Sequence, residues 1–122
     1  MITGIFIENV PLIQTVVAWK EAVQKTFCVL DTGFTGDLQV TPKMAKELNL
    51  EITGVIKAQI ANGDTVDVPV ALAKSAMEGK ISYIQVLISK STPLAGISFL
   101  TKFSYKAIVD CKNKKVSLKR IL

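Results

Sequence analysis

Histidine is missing from this chain altogether, and that absence removes several chemistries. Neither a Ser-His-Asp triad nor a Cys-His pair can be assembled from it. Two cysteines, Cys28 and Cys111, are too few for a disulfide framework or for a four-ligand zinc site. No Gly-rich phosphate loop of the G-x-x-x-x-G-K type occurs. No apolar run approaches the roughly 18 residues that a membrane helix needs, so no membrane partner is expected. The first residues lack a basic start and are interrupted by Glu8, Asn9 and Pro11, so a signal peptide is not expected and the cytoplasm is the default address. What remains for polar catalysis is carboxylate, hydroxyl and lysine chemistry, with no metal and no cofactor expected.

The 122 residues are the size of one domain, spanning 1–122, and can bury a core without staples. Hydrophobic residues make up 49%, a surplus for a small domain that part of an interface would absorb. The net charge is +5, from 15 basic and 10 acidic residues. One basic cluster stands out, at Lys112, Lys114, Lys115, Lys119 and Arg120. A solvated hairpin and an edge strand blunted by lysine account for it, and no nucleic-acid partner is expected.

The pattern along the chain is that of short strands. Residues 2–8, 12–19, 23–30 and 38–41 read as strands, with a hairpin connection at 20–22. Thr41 and Pro42 then form a helix start, N-cap and first helical position. Met44, Ala45 and Leu48 fall on one helical face, and Asn49 is a terminator. Strands over 55–60 and 65–73 flank Ala61-Asn62-Gly63-Asp64, where Asn-Gly is a strong hairpin signal because a tight turn wants φ > 0. Strands over 81–89, 107–109 and 116–122 follow, with Ser91-Thr92-Pro93 as a break and a helical turn or two over 97–102. The fold class is all-β in the main, with one or two short helices.

The rest is organised around Phe27-Cys28-Val29-Leu30-Asp31-Thr32-Gly33-Phe34-Thr35-Gly36. An apolar strand leads straight into a carboxylate, a hydroxyl and a glycine. Placing a chargeable group at the end of a core strand is costly unless something pairs with it or shares its proton. Cys28, inside that strand, reads as a small buried hydrophobe, and Cys111 as exposed.

The stretch Val29 to Gly36 resembles the active-site loop of retropepsin-like aspartic proteases, most closely their small bacterial and archaeal members. Pro93-Leu94-Ala95-Gly96-Ile97-Ser98-Phe99-Leu100 is similar to the second signature of that family, apolar-apolar-Gly-x-x-Phe-Leu. Order and separation of the two segments fit as well. The resemblance implies a closed acid-protease barrel. It also implies a pseudo-repeated layout, echoed here by Val29-Leu30-Asp31 and Val86-Leu87-Ile88, each followed by a loop and a helix. Only the first copy carries an aspartate.

One carboxylate cannot act as general base and general acid at once. Two in contact cannot both ionise and so share a proton. The second must then come from a twin chain, in a two-fold homodimer with Asp31 near the axis. Such a pair titrates as a unit. By resemblance, Asp31 is the catalytic group, Thr32 bonds across the axis, Gly33 brings its N–H to the carboxylate, and Thr35 bonds the outer carboxylate oxygen or substrate. The hairpin around Ala61, Asn62 and Gly63 corresponds to the flap over a bound peptide. Phe34 stands where small residues are common and either narrows the cleft or packs inward. Asp110 reads as a hairpin-initiating residue, and Asp37, Asp64 and Asp67 as turn or surface residues.

The expected function is therefore that of an aspartic endopeptidase, dimeric through its active-site loops and terminal strands, acting on extended peptides or proteins. The alternative is a catalytically silent dimer of the same fold that binds peptide or protein strands.

Overall fold

Alternation of buried and exposed side chains makes eleven short strands out of most of this sequence. The computed structural model describes residues 1–60 and 62–122. The chain opens with β1 (Ile2–Thr3) and β2 (Ile5–Ile7), then β3 (Val10–Trp19) and β4 (Ala22–Leu30). The single strand expected over 2–8 is broken at Gly4. A Cβ there would collide with the Leu12 carbonyl and come within 2.7 Å of Val116 Cγ1. Gly4 donates its N–H to the Val116 carbonyl at 2.8 Å, which turns the chain from one sheet into another.

β5 (Leu38–Val40) leads into α1 (Pro42–Glu47), and β6 (Ile52–Gln59), β7 (Thr65–Met77) and β8 (Lys80–Ile88) follow. Then come β9 (Leu94–Ala95), α2 (Ile97–Lys102), β10 (Tyr105–Asp110) and β11 (Lys115–Arg120). The expected cap is present: Thr41 Oγ1 accepts the Met44 N–H at 3.2 Å, and Pro42 opens the helix. Asn49 ends that region with φ at 53°, and Met44, Ala45 and Leu48 are buried. The two-residue β9 was not expected; so short a strand carries no periodicity to read.

Eight strands join in the order β2-β3-β4-β9-β5-β8-β7-β6. Pairing of β3 with β7, through Val17↔Ser75 and Ala18↔Lys74, closes six of them into a ring. The fold is thus mainly β, with a ring-like sheet and two short helices. A separate three-stranded sheet runs β1-β11-β10. A large cluster fills the interior, and Phe99, Phe103, Ile13, Leu38, Leu48 and Ile84 are its largest fully buried members among the described residues. Fully burying a side chain of this size contributes about 1.5–3 kcal/mol. Among the described residues no helix is long and apolar enough to cross a membrane.

The echo heard in the sequence is a pairing symmetry in space. β4 runs parallel to β9, with Leu30 opposite Ala95; β8 runs parallel to β5, with Ile88 opposite Val40. β5 and β9 meet antiparallel between them. The residue after each long strand then donates to the last carbonyl of its short partner: Asp31 to Ala95 at 3.0 Å, Ser89 to Val40 at 3.0 Å. Ser89 is thus the counterpart of Asp31, and Gly96, which caps α2, is the counterpart of Thr41.

Candidate functional site around Asp31

Asp31 is partly buried at the end of β4. Its Oδ1 accepts the Gly33 N–H at 2.9 Å, and its carbonyl accepts the Phe34 N–H at 3.1 Å. These two bonds curl the loop back on itself and hold one carboxylate oxygen. The other oxygen has no hydrogen-bond partner among the described residues and is open to a water, a substrate or another acid. A Cβ on Gly33 would lie 3.2 Å from Oδ1, tighter than ordinary contact, so a side chain there would push on the carboxylate. Thr32 and Thr35 are exposed, and neither makes a side-chain hydrogen bond among the described residues.

The loop is held down by the turn into α2. Gly96 donates to the Asp37 carbonyl at 2.9 Å, and Ile97 donates to the Phe34 carbonyl at 2.9 Å. A Cβ on Gly96 would run into the carbonyls of Gly36 and Phe34 and the Phe34 ring. This explains why glycine caps α2 where threonine caps α1: the loop occupies the space the cap side chain would need. Phe34 packs inward, its ring over Gly36 and Gly96. It also touches a second apolar cluster made by Val68, Val70 and Leu87 with Ile56 and Ala58. The loop of Asp31 and the hairpin of β6 and β7 therefore share one hydrophobic contact.

Asp37 corrects an expectation. Instead of a turn or surface residue, its side chain is only 3% exposed and pairs with Lys102 at 2.6 Å. The same Oδ2 accepts the Gln85 N–H at 2.9 Å, while Oδ1 is buried without a partner. One carboxylate thus ties together the end of the Asp31 loop, β8 and α2. An acid after a glycine carries every local mark of a turn, and its partner lies 65 residues away, so no sequence signal marked the pair. Asp64 and Asp67 are exposed, as expected.

The expected hairpin joins β6 and β7. Five residues, 60–64, connect the strands. Ile60 donates to the Asp64 carbonyl at 2.9 Å, and Asp64 donates to Asn62 Oδ1 at 2.9 Å. Gly63 takes a positive φ, 89°. Asn62 and Gly63 are exposed at the tip, and Ala61 lies outside the described residues. Pairing of β7 with β8 begins only at Val70, so residues 55–59 of β6 and 65–69 of β7 extend as a two-stranded arm.

Two cavities lie away from Asp31. One of about 500 Å³ is lined by Trp19, Ala22 and Leu48, and one of about 280 Å³ by Thr26, Met44 and Pro93. Cys28 is fully buried against Thr15, and burial pushes its thiol up to about 11. Cys111 is exposed. Asp110 caps its turn, accepting the Asn113 N–H at 3.0 Å and side-chain amide at 2.8 Å, and these bonds hold it below the usual carboxylate range.

Comparison with models of known protein families and with curated proteins finds no match to this chain.

Proposed function

We propose that this chain is a retropepsin-like aspartic endopeptidase that works as a homodimer. The observation that carries the proposal is the Asp31 carboxylate at the end of a core strand, one oxygen held by the Gly33 N–H and the other open. The paired strand ends, the glycine-capped α2 and the projecting hairpin support it.

Asp31 of one chain takes a proton from water, whose oxygen attacks the scissile carbonyl carbon. The protonated Asp31 of the other chain gives its proton to the carbonyl oxygen. Collapse of the tetrahedral species breaks the C–N bond: the amine leaves with the proton that the first Asp31 took from water, and a hydroxyl of the tetrahedral carbon returns a proton to the second Asp31 as the carboxyl product forms. The hairpin arm lies over an extended peptide and excludes water from the reacting bond. No metal or organic cofactor takes part in this scheme. Digestion of an unbiased peptide library from pH 3 to 7, beside Asp31→Asn, is the test. Cleavage by the parent and none by the variant is expected; equal cleavage by both would discard Asp31 as the catalyst.

One observation favours a second reading, a silent dimer that binds peptide or protein strands. Ile5, Ile7, Val10 and Phe27 are 39–57% exposed, and their registers put them on the same sheet face as Val29, two residues before Asp31. Dimers without cleavage at any pH, weakened by Phe27→Ser, would support that reading.

A further inference from the structure

The surplus of positive charge is confined to one hairpin. Residues 106–120 hold six of the 15 basic residues and one of the ten acids, a balance of +5. Residues 1–105 hold nine of each and balance to zero. β10, β11 and the turn between them therefore carry the whole net charge of the chain. Blunting of an exposed edge, expected from the sequence, does not account for it. In the sheet β1-β11-β10 the middle strand is β11, and Lys115 and Lys119 stand on it. Lys106 stands on the edge strand β10, and Lys112 and Lys114 lie in the turn.

Strand alternation sorts the hairpin into two faces. Val116 and Leu118 point into the core. Arg120, on their side, turns its guanidinium to the Met77 and Glu78 carbonyls and over the Tyr105 ring. Lys115, Ser117 and Lys119 lie on the opposite face, beside Lys106, Ile108 and Asp110 of β10 and Thr3 of β1. Lys106 is paired directly with Lys119, and like charges in that position repel. None of the five lysines makes an ion pair among the described residues, whereas Lys20, Lys57 and Lys102 elsewhere do. The one acid on the face, Asp110, gives its two oxygens to Asn113, at 3.0 and 2.8 Å.

We propose that this lysine face binds the phosphate backbone of double-stranded DNA, without regard to base sequence. Lysine is a point charge and lacks the planar fork that grips one carboxylate or phosphate in a set orientation. No aromatic ring lies on the face to stack an unpaired base. Of the residues paired there, Ile108 alone is large and apolar, too little to enter a lipid surface. A second copy would set lysine against lysine. B-DNA offers what such a face can use: one charge per about 1.7 Å of axis, with a condensed counterion released for each phosphate neutralised. The Thr3 and Ser117 hydroxyls lie between the lysines and suit further phosphate contacts. Binding of this kind needs no peptide hydrolysis, so loss of the Asp31 chemistry would leave it standing.

Fluorescence anisotropy of a labelled, mixed-sequence duplex, titrated from about 25 to 200 mM NaCl, is the test. Three to five phosphate contacts give a slope of log affinity against log salt of about −2.7 to −4.5. Affinity should then fall about 40- to 500-fold between 50 and 200 mM salt. Each lysine changed to glutamine should take about 0.9 off the slope and weaken binding about tenfold at 50 mM. The triple variant Lys106→Gln, Lys115→Gln, Lys119→Gln should therefore bind about a thousandfold more weakly. Lys25→Gln, Lys43→Gln, Lys46→Gln removes the same charge elsewhere and should keep the slope, with affinity within about threefold of the parent. Circular dichroism reports folding. Should the first triple variant unfold, Lys106→Gln and Lys119→Gln singly still decide through the slope.

Duplex binding lost with the face lysines and kept with the others supports the proposal. No binding at 25 mM salt overturns it, as does an equal loss in both triple variants, which would leave net charge as the sole cause. A single strand of the same length bound more tightly than the duplex would also overturn it. So would phosphatidylserine vesicles or polyglutamate held more tightly than DNA at the same salt.

Discussion

Removing the ammonium of Lys102 leaves the Asp37 carboxylate buried beside a single backbone N–H. That carboxylate is 3% exposed, one oxygen already lacks a partner, and the other would keep only Gln85. Breaking a fully buried ion pair by deleting one partner costs roughly 3–5 kcal/mol. Lys102 is 37% exposed, so solvent already screens part of the interaction. A loss of about 2 kcal/mol is therefore expected for Lys102→Met. Asp37→Asn should cost less, about 1 kcal/mol, because the amide oxygen still accepts from Gln85 and the lysine can turn to water. Once the acid is neutral, deleting the lysine as well should add almost nothing. The double variant should therefore resemble Asp37→Asn, with a coupling of about 2 kcal/mol. Urea unfolding measures this directly, since a 2 kcal/mol loss moves the midpoint by about 1 M or more for a domain of this size. Single variants that simply add, or a Lys102→Met protein as stable as the parent, would refute the idea that this pair braces the Asp31 loop.

Gly96→Ala should destabilise the fold by about 2 kcal/mol or more, since its Cβ meets two backbone carbonyls that cannot step aside. At the symmetry-related cap, Thr41→Ala should lose about 1 kcal/mol, the usual worth of such a bond; thermal unfolding checks both. At pH 8 one thiol per chain should react quickly with a disulfide reagent, Cys111, and Cys28 only on unfolding, because burial raises its pKa to about 11. Glu78 is held below the ordinary glutamate range, first by the N-terminal ammonium at 2.9 Å and then by the Tyr105 hydroxyl at 2.8 Å. A depressed folded pKa gives stability that is present above the unfolded value and lost as pH falls through the folded one. Glu78→Gln should therefore flatten the decline of the urea midpoint between pH 5 and 3.

Features carried by neighbouring residues were legible. Thr41 and Pro42 started a helix as their chemistry requires, and Asp31 stands at a strand end. What escaped was set by residues distant in the chain. The break at Gly4 depends on Leu12 and Val116. Ring closure depends on two pairs between β3 and β7 inside strands that otherwise pair elsewhere. Asp37 depends on Lys102, and the glycine at 96 on a loop 60 residues earlier. The hairpin signal at Asn62-Gly63 was legible too, since β6 and β7 pair on either side of it and Ile60 and Asp64 bond across it.

The junction of β3 with β7 fixes where the long hairpin can bend. Val17 and Ser75 are fully buried there, and Ser75 Oγ donates to the Val16 carbonyl at 2.7 Å. The lower half of β7 is thus clamped between two neighbours, while its upper half has only β6 beside it. The clamped part of β7 begins at Val70, where β8 starts to pair, opposite Gly54 and next to the register shift between Ile52 and Gly54. Beyond that point the arm is tied to the Asp31 loop through Val68 and Phe34, so any change in the hairpin's position bears on the ring that packs that loop.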